Sequence, residues 1–155
     1  MKKPPLGIST FQKLIEGGYV YADKTEFIYN LVNTGYPYFL SRPRRFGKSL
    51  LLSTFEALFS GPPDPDGPPQ GLFKDLWIGQ SDYDFTQSYP VITLSMGSVS
   101  SKSSIALDDT IIEKLNIISR SEGLDLNITY SSTGLFKLIQ NLSDVRKKKV
   151  VVLVD

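Results

Sequence analysis

The sequence predicts an α/β fold, a three-layer arrangement with a parallel sheet between helices. Three observations carry this. Helical apolar periodicities alternate with short runs rich in β-branched and aromatic residues, the pattern of strand–helix units. The apolar run 36–40 leads through a loop into Gly47-Lys48-Ser49 and then into a helical pattern. The chain closes on Val150-Val151-Val152-Leu153-Val154-Asp155, an unbroken apolar run that suits a parallel strand buried on both faces and that ends in a carboxylate.

The elements follow in order. Ser9 or Thr10 is placed to cap a short helix through Phe11, Leu14 and Ile15, closed by Gly17-Gly18. Tyr19-Val20-Tyr21 reads as a brief extended piece. Asp23 or Thr25 then caps a second helix with Phe27, Ile28, Leu31 and Val32 on its apolar face, ended by Gly35. Residues 36–40 read as the first sheet strand, and Pro43 fits a loop because it forbids helix continuity. In the helix that follows, Leu51, Phe55, Leu58 and Phe59 stand at i, i+4, i+7 and i+8, one face. Residues 61–70 hold five of the ten prolines, so they form a surface loop with Asp64 and Asp66 as solvated turn residues. Leu72, Phe73, Leu76, Trp77 and Ile78 make a patch that packs as a short helix, with Trp77 in the core. Pro90 to Met96 reads as a strand and 100–104 as a polar loop. Residues 105–121 read as a helix with Ile111, Ile112, Leu115 and Ile118 facing in, stopped by Gly123. Ser131 or Ser132 caps a further helix carrying Leu135, Phe136, Leu138 and Ile139, and Lys147-Lys148-Lys149 is a solvated turn before the last strand. Residues 1–35 are expected to be a helical lead packed on a core formed by 36–155.

Composition narrows the chemistry. The 155 residues fit one domain or part of one, and 41% hydrophobic content suffices for a core. Lys+Arg 17 against Asp+Glu 16 leaves no global field for nucleic acid or a membrane surface. The local exception is Arg42, Arg44, Arg45 and Lys48. With no cysteine and no histidine, disulfides, thiol nucleophiles, the usual zinc sites and histidine bases are excluded. A metal would need oxygen ligands, which points to Mg²⁺. The start Met-Lys-Lys-Pro-Pro lacks a signal-peptide apolar stretch, and no run approaches the ~18 apolar residues of a membrane helix, so the expected location is the cytoplasm.

Strand, loop, Gly-Lys-Ser and helix in succession is the build of a phosphate-binding loop, so the fold expected is a P-loop NTPase core. Loop N–H groups wrap a phosphate chain, a helix N-terminus faces it, and a lysine adds a point charge. Arg42 occupies the first glycine position of the full G-x-x-x-x-G-K-[ST] pattern. Backbone N–H groups of 44–49 are expected to cradle the phosphates of ATP. Lys48 would reach the β- and γ-phosphates and Ser49 Oγ would ligate Mg²⁺. Asp155, at the carboxyl end of a parallel strand, would hold the same ion, usually through water. The nucleotide-binding set is thus Arg42, Arg44, Arg45, Phe46, Gly47, Lys48, Ser49 and Leu50. Lys48 and Asp155 form the catalytic pair, and Ser49 and Asp155 are the metal ligands. Arg44 and Arg45 either touch the γ-phosphate or a partner segment, or are solvated.

With those residues in place, the chain resembles the AAA-ATPase-like family. The resemblance runs through Gly7-Ile8-Ser9-Thr10-Phe11, through 14–25, and through 38–54, Tyr38-Phe39-Leu40-Ser41-Arg42-Pro43-Arg44-Arg45-Phe46-Gly47-Lys48-Ser49 above all. It implies that arginine at position 42 is ordinary. It implies a bacterial or archaeal P-loop ATPase, often with a PD-(D/E)XK nuclease-like domain downstream. In the family a glutamate follows the counterpart of Asp155 and is the expected base for water attack; this chain ends before it, so a fragment of the ATPase domain is expected, one that binds ATP and hydrolyses it poorly. Asp23-Lys24-Thr25 either touches the nucleotide or caps a helix. Two other functions remain open: a non-catalytic nucleotide-binding scaffold, or a P-loop small-molecule kinase.

Overall fold

A computed structural model describes residues 2–41, 43, 46–61, 70–97 and 103–155. The chain divides into two compact units, Met1–Ser88 and Tyr89–Asp155. Together they give an α/β composition of helices and a small parallel sheet.

In the first unit, α1 spans Phe11–Glu16, α2 spans Thr25–Thr34 and α3 spans Lys48–Ser60. Two 3-10 turns follow at Gly71–Phe73 and Trp77–Gln80. Every helix contributes an apolar residue to one core of Phe11, Ile28, Leu58, Phe73 and Ile78. Phe11 stacks on Phe73 with ring centroids 4.8 Å apart and meets Tyr21 edge-on at 5.3 Å. Full burial of one such ring contributes about 1.5–3 kcal/mol. On α3 the expected face is the packed one: Leu58 is buried, and Leu51 and Phe55 lie half-buried against the same cluster. Gly35 ends α2 with φ 70°, the left-handed conformation open to glycine at little cost.

In the second unit, β1 (Val91–Leu94) and β2 (Val151–Val154) pair in parallel, Val91 opposite Val151 and Leu94 opposite Val154. Between them run α4 (Ser104–Ser121) and α5 (Ser131–Arg146), a helical crossover of the kind parallel strands require. The core joins Ile92 and Leu94 of β1 to Leu115, Ile128, Leu138 and Leu142. Ser103 caps α4, its Oγ accepting from Ala106 N–H at 3.1 Å. The connector between the helices is stapled to α4. Asn116 donates to Ile128 O at 2.9 Å and accepts from Ile128 N–H at 3.0 Å. Ser119 Oγ donates to Leu124 O at 2.8 Å and accepts from Leu126 N–H.

Several expectations are corrected. Residues 36–40 form no strand: the sheet among the described residues has two strands, and Tyr36 and Phe39 are 75% and 93% exposed. A strand exists through pairing, and aromatic propensity alone does not supply a partner. The observed sheet therefore does not reach three layers. The last strand is not buried on both faces, because Val152 and Val154 are exposed while Leu153 is buried. Trp77 is not in the core; it is 41% exposed and meets Tyr29 edge-on, while Phe73 and Ile78 take the buried places. Phe27 and Phe136 are also exposed, while Ile28 and Leu138 on the same helices are buried. The hydroxyls of Ser131 and Ser132 do not cap α5; Ser131 Oγ donates to Asp108 of α4 instead. Residues 62–69 of the proline loop, with Asp64 and Asp66, and residues 100–102 of the polar loop lie outside the described residues.

Candidate functional site

The start of α3 is the chemically distinctive place in the first unit. Gly47 precedes it with φ 74° and ψ 22°. Among the described residues an added Cβ there would meet nothing within 4 Å, and the demand for glycine comes from the backbone conformation. Leu51 N–H donates to Gly47 O at 2.9 Å, closing the first helical turn. Among the described residues no side chain caps α3, whose first turn carries the positive end of the helix dipole. Lys48 is half-buried and Ser49 is exposed at this end, while Leu50 turns toward the first unit's core. Phe46 is 64% exposed. The structure thus gathers Phe46, Gly47, Lys48, Ser49 and Leu50 at one helix N-terminus. Arg42, Arg44 and Arg45 lie outside the described residues.

α3 is held from behind by polar contacts. Ser53 Oγ accepts from Phe11 N–H of α1 at 3.0 Å. Thr54 is fully buried, donates to Leu50 O at 2.8 Å and shares a hydrogen bond with the Tyr21 hydroxyl. Burial, more than any neighbour, pushes the Tyr21 phenol above its ordinary pKa.

Asp23-Lys24-Thr25 forms a clamp. Asp23 Oδ1 accepts from Thr25 N–H at 2.8 Å and from Thr25 Oγ1 at 2.7 Å, and Oδ2 accepts from Trp77 N–H at 2.7 Å. Thr25, fully buried, in turn accepts from Ile78 N–H at 3.1 Å. Partial burial works to raise the Asp23 pKa, but the bonds from the Thr25 hydroxyl and the Trp77 and Thr25 amides outweigh it and hold the carboxyl below the usual range. Both oxygens of Asp23 are engaged within the fold, which favours capping over contact with a nucleotide. Sequence reasoning placed the cap at Asp23 or Thr25, whereas Lys24 takes the N-cap position with no side-chain bond and Asp23 holds the first helical amide from one residue earlier. It missed the partner at 77–78 and the Ser53 bond to α1, since contacts 42 to 54 positions apart leave no local trace.

In the second unit Asp155 stands at the carboxyl end of β2, as expected. Its N–H donates to Leu94 O at 2.9 Å and its carbonyl accepts from Met96 N–H at 2.7 Å. The backbone is pinned while the residue stays exposed. A pocket of about 300 Å³ opens nearby, lined by Leu94, Met96, Ile111, Leu115, Leu135 and Val154 among others. Its lining is too apolar for a triphosphate. Lys48 and Ser49 belong to the first unit and Asp155 to the second.

Ser49 and Asp155, each within its own unit, carry the kind of donor that Mg²⁺ takes. A serine hydroxyl and a carboxylate are hard oxygen ligands, and Mg²⁺ is ordinarily held by one or two such groups plus phosphates and water. Among the described residues no group of three or more acidic side chains forms a cage of its own, which that mode of binding does not require. Among the same residues no helix is long and apolar enough to cross a membrane.

The protein comparisons bear on this site. An uncharacterized protein in the vnfD 5' region of Azotobacter chroococcum mcd 1 is 37% identical over 155 residues, covering 99% of this chain. The chain spans 28% of the length of that relative. No solved structure matches. Residues 5–155 match the family described as predicted AAA-ATPase, a span that includes α3, the residues before it and Asp155. With nearly its whole length inside that match, the chain belongs to the AAA-ATPase-like family.

Proposed function

We propose that this chain is the ATP-binding part of an ATPase that takes Mg-ATP at the start of α3. The observation that carries the reading is the left-handed Gly47 followed by Lys48 and Ser49 at a helix N-terminus without a side-chain cap among the described residues, within a member of this family. Main-chain N–H groups at Gly47–Leu50 would donate to phosphate oxygens, and the dipole of the thirteen-residue helix favours their negative charge. Lys48 would bridge the β- and γ-phosphates as a point charge. Ser49 Oγ would hold Mg²⁺, with Asp155 holding it through water; the ion would neutralise charge developing on the phosphates. Arg42, Arg44 and Arg45 would add positive charge from the sequence just before α3. The fold that goes with this reading is the three-layer P-loop core. In the intact protein, hydrolysis would drive a partner or an attached nuclease-like domain.

Thermal unfolding with Mg-ATP, with Mg-GTP and without nucleotide, beside Lys48→Ala, tests the reading. Ligand at a hundred times Kd stabilises by about 2.7 kcal/mol. For a chain of this size the midpoint should rise by roughly 5–10 °C. Lys48→Ala should abolish the rise. No shift for the wild type, or an equal shift for the variant, would overturn the site. Binding without turnover in a longer protein carrying the residues after Asp155 would mark a scaffold instead of an ATPase.

A further inference from the structure

Thr10 gives α1 no side-chain cap. The group that reaches Phe11 N–H is Ser53 Oγ of α3, at 3.0 Å. Ser53 follows Ser49 by one helical turn, and residues at i and i+4 share a face with Cβ atoms about 5–6 Å apart. The start of α1 therefore rests on the face of α3 that presents Ser49, one turn further along. Thr54 holds an adjoining face through its bond with the Tyr21 hydroxyl, its bond to Leu50 O lying within α3 itself. Rotation of α3 about its axis is opposed at both positions, immediately behind the residues at its N-terminus.

We propose that Ser53 is a positioning residue for the phosphate site: by accepting from Phe11 N–H it sets the rotation of the first turns of α3, and with it where Lys48 and Ser49 stand against a bound triphosphate. The inference rests on the nucleotide reading above. Lys48 and Ser49 project from the helix axis, so a small rotation displaces their polar atoms, and a misplacement of about 1 Å at a site of this kind can cost as much as a hundredfold. Removing the hydroxyl leaves the first amide of α1 without its partner and releases that constraint.

Titration calorimetry with Mg-ATP on the wild type, Ser53→Ala, Ser53→Thr, Leu58→Val and Lys48→Ala tests it. Ser53→Ala should weaken binding about 5–20-fold, and Ser53→Thr, which keeps the hydroxyl, should bind within about twofold of wild type. Leu58→Val loosens the core face of the same helix without touching the latch. It should lower the unfolding midpoint and leave affinity within about twofold, a separation that a merely structural Ser53 would not show. Coupling between two sites is reciprocal, so Mg-ATP should also slow hydrogen exchange of the Phe11 amide in the wild type. Unchanged affinity in Ser53→Ala, failure of Ser53→Thr to restore it, an equal loss in Leu58→Val, or an unaltered Phe11 exchange rate would each overturn the inference. Where the wild type binds and Lys48→Ala does not, such a failure leaves the nucleotide reading standing. A wild type that does not bind overturns both.

Discussion

At the residue scale, two side-chain positions carry separable physics. Gly47 sits at φ 74°, and among the described residues nothing stands within 4 Å of where a Cβ would be. Gly47→Ala should therefore cost about 1–2 kcal/mol through backbone strain alone and weaken Mg-ATP binding, readable by urea unfolding beside calorimetry. Equal stability would mean that the turn relaxes to an ordinary conformation. Asp23 has its pKa lowered by the bonds from Thr25 and Trp77, which outweigh its partial burial. A carboxyl lowered in the folded state stabilises fully above its unfolded value, about 3.9, and loses that contribution as pH falls through the folded value. Unfolding midpoints of the wild type should thus fall below about pH 4, and Asp23→Asn should flatten that part of the profile while lowering stability at neutral pH. Parallel acid profiles for the two proteins would remove Asp23 from the account.

At the element scale, the close approach of α4 and α5 depends on one glycine. A Cβ on Gly134 would stand 2.4 Å from Ile128 Cγ2 and 3.1 Å from Leu115 Cδ1, both buried. Overpacking costs about 1–3 kcal/mol, against a helix-propensity gain of about 1 kcal/mol for alanine. Gly134→Ala should therefore be net destabilising in chemical denaturation, and a stabilised variant would show that Ile128 repacks freely. The helices themselves were legible in the sequence: Leu51, Phe55 and Leu58 predict the packed side of α3, and Leu115 and Ile118 that of α4. Caps were less legible. Serine, threonine and aspartate mark where a helix begins, yet the bond partner was Ser53 for α1 and Asp108 for Ser131. A hydroxyl bonds whatever the fold brings near, and the local sequence does not record that neighbour.

At the scale of the molecule, Lys48 and Ser49 stand in the first compact unit and Asp155 in the second. Asp155→Asn should leave the unfolding midpoint without ligand within about 2 °C, since the residue is exposed, while reducing the Mg²⁺ dependence of ATP binding. Calorimetry across a Mg²⁺ series checks this; identical Mg²⁺ dependence would remove Asp155 from the ion's surroundings. The chain covers 28% of its relative's length, and the output of ATP turnover belongs to the proposal for the whole protein.

By itself the sequence determined the helices, the parallel end strand with Asp155 at its carboxyl tip, and the Gly-Lys-Ser helix start. These depend on local quantities: the backbone freedom of glycine, the period of apolar residues, the orphan N–H groups of a helix end. Only the tertiary structure decided that Asp23 engages Trp77, that Ser53 caps α1, that Trp77 lies outward, that residues 36–40 are not paired as a strand, and that β2 keeps one face open. Each of these turns on a partner far along the chain, and a side chain's burial or bonding is a property of the pair that meets, not of either residue alone.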